Sequence, residues 1–575
     1  MPSTKKQKTY HDCPRTISTQ STTAKHPLNV RPSGNAFFDE NLKGPSRHQQ
    51  MGDFSVFPEE LFMEMLGFVD DSHALKALSH TSRVMYAYLY DEDVWKRHYT
   101  SKVQQAEKSG TEIADLVWRG SWRLSVLQLD KKNSADLKIP GNLLCSDILY
   151  RPFQCAQIDY DNLLAKVIQE EEMYHVDALK SDVPLSYPAN RIPRIPEAHL
   201  TQEKFDDVWN ARPFILTNPN NNRWPRWTLQ ELLGRFSSVK FRQEAVRWPL
   251  SLYSQYLAAN CDESPLYLFD CSSIAMKTLR QEYQVPKIFQ QDLFKSFGAC
   301  RPDHAWLIIG SQRSGSTFHK DPNYTSAWNT AIAGRKVWVM FPPGVCPPGV
   351  STDDDESEVT SPVGIAEWVL SGFYNDAAKS PEAQIGITFP GECMYVPSGW
   401  WHTVINLDES IALTQNFVPE VKLGNALHFL KNKGKQISGF RPLEVRNRCR
   451  DVLENFNNGE ENEASNNAEL EQDIAAITNY CHAFDKGNLQ EFLLNEDCGE
   501  IMETQLPPLP VFELFKLLLL QEGKKEQLQK GMVALGRKEK AELQKATGVS
   551  ETWQKLTEEP KTFSFGFSVS DNESD

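Results

Sequence analysis

The 575-residue chain lacks any apolar run long enough to cross a bilayer. Its longest, around Phe515-Lys-Leu-Leu-Leu-Leu, is far short of the roughly 20 residues a spanning helix needs. It also lacks a Cys-x-x-Cys pair. The 11 cysteines are scattered, which excludes a zinc ribbon or a disulfide scaffold and points to a reducing compartment. The first residues are polar and basic, so no secretory leader is expected. Positive charge is scarce: 61 Lys and Arg against 76 Asp and Glu give a net charge of −15. That argues against direct nucleic-acid binding by the chain as a whole. The N-terminus runs the other way, with Lys5, Lys6, Lys8, Arg15, Lys25 and Arg31 among Ser, Thr and Pro. Residues 1–52 therefore read as a disordered basic tail. Lys5-Lys-Gln-Lys8 has the composition of a nuclear import signal or of a solubilising tail. The expected location is the nucleus and/or the cytoplasm.

Three residues carry the chemistry. His319 and Asp321 stand in Ser314-Gly-Ser-Thr-Phe-His-Lys-Asp-Pro, and His402 stands in Pro397-Ser-Gly-Trp-Trp-His-Thr. Two imidazoles and one carboxylate form the ligand set of non-haem iron(II) centres that activate oxygen, with open positions left for substrate and O2. His319 and Asp321 are two apart, so on a strand they project from one face. His402 must then come from another strand of the same barrel. Phe389-Pro-Gly-Glu-Cys-Met-Tyr-Val-Pro-Ser-Gly before it reads as strand, turn and strand, with Gly and Pro where a barrel bends. A His-x-Asp tripeptide alone is weak evidence; its surroundings decide the matter.

Those surroundings run from Trp306-Leu-Ile-Ile-Gly-Ser-Gln-Arg through His319 to Trp328-Asn-Thr-Ala-Ile-Ala-Gly-Arg-Lys336-Val-Trp, and from Gly399 to Thr414-Gln-Asn416-Phe. This string resembles the JmjC oxygenases, in particular the branch of the bifunctional arginine demethylase and lysyl-hydroxylase. It extends from about Arg191 to about Leu430. The resemblance implies a mostly β catalytic core of the double-stranded β-helix, jelly-roll or cupin type. It implies iron(II) on His319, Asp321 and His402, with 2-oxoglutarate and O2 as cosubstrates. It assigns Lys336 and Thr414 to the distal carboxylate of 2-oxoglutarate, with Asn329, Ser316 and Asn416 around it. Physically, a buried carboxylate needs a fixed cation, because an unpaired buried charge is costly. Ser316 stands where the family often carries Thr and keeps the hydroxyl. Tyr267 and Trp306 are the expected substrate-pocket walls, since aromatic faces suit a cationic lysine or methylarginine. The implied reaction consumes 2-oxoglutarate to succinate and CO2. It leaves hydroxylysine on a lysine, or removes an N-methyl group as formaldehyde.

A second module opens at Asp53. Pro58 followed by Glu59 and Glu60 starts a helix, and Leu61, Met65, Leu66, Phe68 and Val69 recur at helical spacing. A second helix is expected from Ala74 to about Arg83, then Asp93-Val-Trp95. Residues 53–100 resemble an F-box, with Phe57 in place of the usual Leu before Pro58. The resemblance implies a surface built on Pro58, Leu61 and Leu66 that binds the Skp adaptor of a cullin ubiquitin ligase. Residues 101–190 read as the approach to an oxygenase domain over 191–435. Residues 436–560 read as helical, with helices at Pro442–Phe456, about Glu469–Phe484, Val511–Gln521 and Lys524–Lys545, and a polar linker at 457–467. Residues 561–575 read as an acidic disordered tail. Two functions compete: a protein oxygenase acting on basic side chains and carrying an F-box, or a ligase adaptor whose barrel mainly recognises a partner.

Overall fold

The computed structural model describes residues 26–30, 46–130 except 112 and 115, and 146–558 except 182–184, 219–222, 363, 459–467 and 487–506. Residues 1–25, most of the 457–467 linker and the 561–575 tail lie outside the described residues.

Two sheets face each other across a filled interior. The larger has nine strands in the order β1 (Arg194–Pro196), β2 (Phe214–Thr217), β13 (Cys393–Val396), β8 (Ser326–Ala333), β15 (Ser410–Phe417), β6 (Ala305–Gly310), β5 (Leu268–Asp270), β3 (Lys240–Gln243) and β4 (Val246–Pro249). The smaller has four: β12 (Gln384–Thr388), β9 (Lys336–Phe341), β14 (Trp401–Asn406) and β7 (Gly315–His319). Nearly all pairs are antiparallel, and strands adjacent in space come from distant parts of the chain, as in a jelly roll. β8 is buried from Ser326 to Ile332 and β9 and β14 are buried throughout, because both faces of each strand are covered. Alternation still sorts the side chains. Trp338, Met340, Met394, Val396 and Val404 fill the space between the sheets, while Val337, Val339 and Ile405 face the helices outside.

Those outer helices are fastened by charge as well as by apolar packing. The Ala165–Lys180 helix brings Glu171 to Arg194, and both side chains are fully buried. Arg194 Nη1 donates to Glu171 at 2.7 Å, Nε to Glu392 at 2.8 Å and Nη2 to the Ile387 carbonyl at 2.6 Å. One guanidinium thus joins the approach segment, β1 and the β12–β13 turn.

The N-terminal helices are not a separate body. Glu59–Gly67, Ser72–Ser79, Arg83–Tyr88 and Glu92–Ser109 share one apolar core with β3, β4 and β6. Trp122 Nε1 donates to Asp262, Trp118 Nε1 to the Ala259 carbonyl, and Trp248 Nε1 to Tyr99 Oη. The helix expected over 74–83 runs over Ser72–Ser79 and stops short, and a separate helix opens at Arg83. Ser82 caps that helix by accepting the Met85 N–H at 3.1 Å, while His80 closes the first with its N–H on the Ala77 carbonyl. Two described pieces of the stretch read as a disordered tail, 26–30 and 46–52, pack on the fold. Leu28, Val30 and Met51 are core residues, and Ser46 caps a short helix over Arg47–Met51.

Beyond β15, helices at Leu423–Asn432, Pro442–Asn458, Ala468–Lys486, Val511–Gln521 and Lys525–Glu558 build a second core around Leu427, Val445, Ile477, Phe515 and Leu518. The first and last of these cross closely. A Cβ on Gly424 would lie 2.6 Å from Ala534 Cβ, so only glycine permits the approach. No described helix is long and apolar enough to cross a membrane.

Candidate metal and cosubstrate site

β7 ends at His319, and Asp321-Pro322 turns the chain into β8. Asn323 and Tyr324 hold positive φ values of 53° and 56° in that turn. The strain is locked by a reciprocal pair, Asn323 Nδ2 to the Ser438 carbonyl at 2.9 Å and the Ser438 N–H to Asn323 Oδ1 at 3.0 Å. Asp321 begins the turn without spending its carboxylate on it. β14 lies antiparallel to β7 and sets His402 directly opposite His319, and a bulge follows at once between His402 and Val404. Bulges re-aim side chains beside functional sites. The ring centroids are 4.1 Å apart. One ligand atom from each of His319, Asp321 and His402 falls within 4.8 Å of the others.

The donor set fits a divalent cation. His319 Nδ1 sits 2.8 Å from the Thr317 carbonyl and His402 Nδ1 sits 3.2 Å from the Trp400 carbonyl. Each carbonyl accepts the Nδ1–H, leaving Nε2 as a lone-pair donor. Asp321 Oδ2 is buried with no partner among the described residues. Burial pushes the Asp321 carboxyl up to about 6, against the pull of His319 and a hydrogen bond from Asn416. Burial, and then the neighbouring His319, hold the His402 imidazole well below its usual range. Two ring nitrogens turned toward an unsatisfied carboxylate oxygen are a donor set that an ion of charge two would stabilise.

A second unmatched charge lies on the neighbouring strand. Lys336 opens β9 opposite Asn406 of β14 and is 1% exposed. Its Nζ donates to Tyr267 Oη at 2.6 Å and to Asn406 Oδ1 at 2.9 Å. Asn406 is oriented by donating Nδ2 to Ser314 Oγ at 2.8 Å. Among the described residues no carboxylate pairs with Lys336. A cation this buried with only neutral partners is suited to an incoming anion.

The remaining expected residues are placed as follows. Asn329, Thr414 and Trp306 are in register across β8, β15 and β6. The Asn329 Oδ1 is buried and unsatisfied, whereas the Thr414 hydroxyl donates to the Trp328 carbonyl at 2.9 Å. Ser316 lies opposite Val404 and lines a cavity of about 420 Å³ whose wall includes His319, Tyr267, Phe269 and Glu244. Asn416 sits behind the metal ligands: Nδ2 donates to Thr325 Oγ1 at 2.8 Å and the side chain reaches Asp321. Its role is to orient Asp321. Tyr267 is 3% exposed, and its hydroxyl accepts from Lys336 while the residue also lines the cavity. Trp306 is half-buried against Tyr267, Ile308 and Ala412. On the N-terminal helices, Pro58 and Leu61 are exposed. Leu66 is 2% exposed and belongs to the core, which corrects its assignment to the surface.

Sequence reading missed Asn406 and Ser314. Asn406 is four residues beyond His402, so strand parity alone places both on one face. Gly315 has no room for a side chain, because a Cβ there would overlap the Val404 carbonyl.

The cupin-like domain family matches residues 231–423. Arginine-specific demethylase JMJ22 of Arabidopsis thaliana is 33% identical over 422 residues, covering 71% of this chain and 77% of that protein. The bifunctional arginine demethylase and lysyl-hydroxylase psr-1 of Caenorhabditis elegans is 35% identical over 245 residues, 39% of this chain and 61% of its own length. The 2-oxoglutarate and iron-dependent oxygenase JMJD4 of Mus musculus is 28% identical over 191 residues, 32% of this chain and 44% of its own.

Proposed function

Since the chain belongs to the cupin-like JmjC family, we propose that it is an iron(II)- and 2-oxoglutarate-dependent dioxygenase acting on a basic side chain of a protein. The observation that carries this reading is the pairing of two unmatched groups in one barrel. These are the His319–Asp321–His402 cluster with its unsatisfied carboxylate oxygen, and the buried Lys336, which has no counter-ion among the described residues. Iron(II) bound there would supply the activation of O2 that oxidises a C–H bond. The chain does the rest. His319, Asp321 and His402 would hold the ion, and Asn416 fixes the Asp321 rotamer. Lys336, kept in place by Tyr267 and Asn406, would take the distal carboxylate of 2-oxoglutarate. Tyr267, Phe269 and the Glu244 carboxylate line the mouth beside His319, a surface suited to a cationic side chain.

The name of the Arabidopsis relative supports methylarginine demethylation, and that of the nematode relative supports both demethylation and lysyl hydroxylation. Purified protein should release succinate with iron(II), 2-oxoglutarate and a basic peptide. Mass spectrometry of the peptide separates gain of one oxygen from loss of one methylene. Metal-loaded protein that makes no succinate with any lysine or methylarginine peptide would defeat the proposal.

A second, compatible reading is favoured by one observation. Leu61 is 48% exposed, Val56 75% and Phe68 83%, an apolar surface on the outer side of the N-terminal helices. This suits a Skp adaptor and hence an F-box role in a cullin ligase, in the nucleus or cytoplasm.

A further inference from the structure

The cavity beside His319 contains one carboxylate that forms no ion pair among the described residues. Glu244 stands at the tip of the β3–β4 hairpin, where Gln243 pairs with Val246 and two residues make the turn. Its φ is 48°, in the left-handed region that a tight hairpin ordinarily gives to glycine. A side chain kept there against that strain points to a task for the side chain. Glu244 Oε1 accepts the Tyr267 N–H at 3.2 Å, which fixes the carboxylate beside Tyr267 in the cavity wall. The residue is exposed, so a substrate can reach it. The other charges around the cavity are spent. Glu263 pairs with Arg151 at 2.8 Å. Arg313 donates Nη1 to the Asp262 carbonyl at 2.8 Å and Nη2 to Asn260 Oδ1 at 3.1 Å. Lys96 attracts Glu244 through space. Its Nζ, however, lies 3.3 Å from the Asp262 carboxylate and donates to the Ser264 carbonyl at 3.1 Å. Taken together, Glu244, Asp262, Glu263 and Glu367 outnumber Lys96, Arg151 and Arg313 by one negative charge. Phe269 lines the same cavity, is 36% exposed, and meets the Tyr267 ring edge-on at 4.8 Å. An accessible aromatic face next to an anion suits the apolar stem and charged head of a lysine or arginine.

We propose that Glu244 is the residue that selects a cationic target side chain, its charge meeting the ammonium or guanidinium while Phe269 takes the alkyl stem. This rests on the reading of the cavity as the substrate mouth of an oxygenase. Glu244 reaches the cosubstrate end only through Tyr267, whose backbone it holds and whose hydroxyl accepts from Lys336. Charge and position can therefore be separated. Glu244→Gln keeps an oxygen for the Tyr267 N–H and removes only the charge.

The full chain, loaded with manganese and 2-oxoglutarate so that it binds without turnover, is titrated calorimetrically with four peptides. They are identical except at one position, which is lysine, norleucine, monomethylarginine or citrulline. The parent should bind the lysine or the methylarginine peptide about tenfold or more tighter than its neutral counterpart. The arm that shows the preference tells an ammonium from a guanidinium target. Glu244→Gln should bring the ratio within about twofold and leave 2-oxoglutarate binding unchanged. Glu244→Lys should turn the preference toward the neutral peptide, and it serves if Glu244→Gln does not fold. A parent without a cation preference overturns the proposal, as does a Glu244→Gln protein that keeps it. A Glu244→Gln protein that loses 2-oxoglutarate binding also overturns it, because the residue would then act by positioning Tyr267. Succinate release separates this outcome from failure of the oxygenase reading. A parent that makes no succinate, yet whose cation preference is lost in Glu244→Gln, would keep Glu244 as a cation-binding residue and defeat the oxygenase. Succinate release with the preference intact in Glu244→Gln would do the reverse.

Discussion

Replacing Lys336 by Met tests the cosubstrate site most directly, because its effects on stability and on binding should have opposite signs. The side chain is 1% exposed and, among the described residues, its Nζ bonds only the Tyr267 hydroxyl and the Asn406 side-chain oxygen. Without ligand, the fold therefore carries an uncompensated buried cation. Met is close in length and volume and needs no counter-ion, although it leaves the Asn406 oxygen without its donor. Setting the removed charge against that lost hydrogen bond, Lys336→Met should stabilise the ligand-free protein by about 1–2 kcal/mol. Binding should move the other way. Truncating one partner of a desolvated ion pair typically costs about 2–5 kcal/mol. A mid-range loss of about 3 kcal/mol weakens 2-oxoglutarate binding on the order of 100-fold. Thermal melts of both proteins, with and without 2-oxoglutarate and with manganese in place of iron to prevent turnover, read both quantities. At a concentration 100 times Kd the parent should gain about 2.7 kcal/mol from the ligand, while the variant should gain almost nothing. A ligand-free variant that melts below the parent, or one that keeps the parent's response to 2-oxoglutarate, refutes the reasoning.

Arg194→Met strands Glu171 and Glu392 in the interior and should destabilise the fold by about 3–5 kcal/mol in denaturant titrations; a loss under about 1 kcal/mol would show that the network is not holding the approach helix. Burial, with the Asp262 charge nearby, pushes the Glu92 carboxyl up to about 7, whereas an unfolded glutamate titrates near about 4.3. The unfolded state therefore releases this proton first as pH rises, and stability is lost between about 4 and about 7. Glu92→Gln should raise the melting temperature at pH 8 but not below pH 4, and parallel pH profiles for variant and parent would contradict this. Leu61→Asp with Phe68→Asp should abolish capture of a purified Skp adaptor while shifting the melting temperature little, since both side chains are exposed; unchanged capture would remove the F-box reading.

The ligand types were legible in the chain because strand parity is local. His319 and Asp321 two apart, or His402 and Asn406 four apart, share a face whatever else the fold does. The jelly-roll class came from the resemblance of the string around His319 and His402 to the JmjC oxygenases, while Gly and Pro marked only where the chain bends before His402. Burial was less legible. Leu61 and Leu66 are five apart, about 140° around the helix, and the apolar spacing did not say which face is covered: the core takes Phe62 and Leu66, and Leu61 is left exposed. Ser82 shows the same limit at shorter range: the helix read over 74–83 stops at Ser79, and Ser82 caps a separate one.

By itself the sequence determined the chemical kinds of group available: two imidazoles, a carboxylate and a lysine at strand spacing. Only the tertiary structure decided that they meet. His402 lies 83 residues beyond His319, and their approach depends on β14 pairing with β7 and on the bulge after His402. Likewise no local pattern marks Lys336 as a buried cation with no carboxylate beside it among the described residues. That property belongs to everything that packs around it, because the energy of a buried charge is set by the partners that three dimensions supply or withhold.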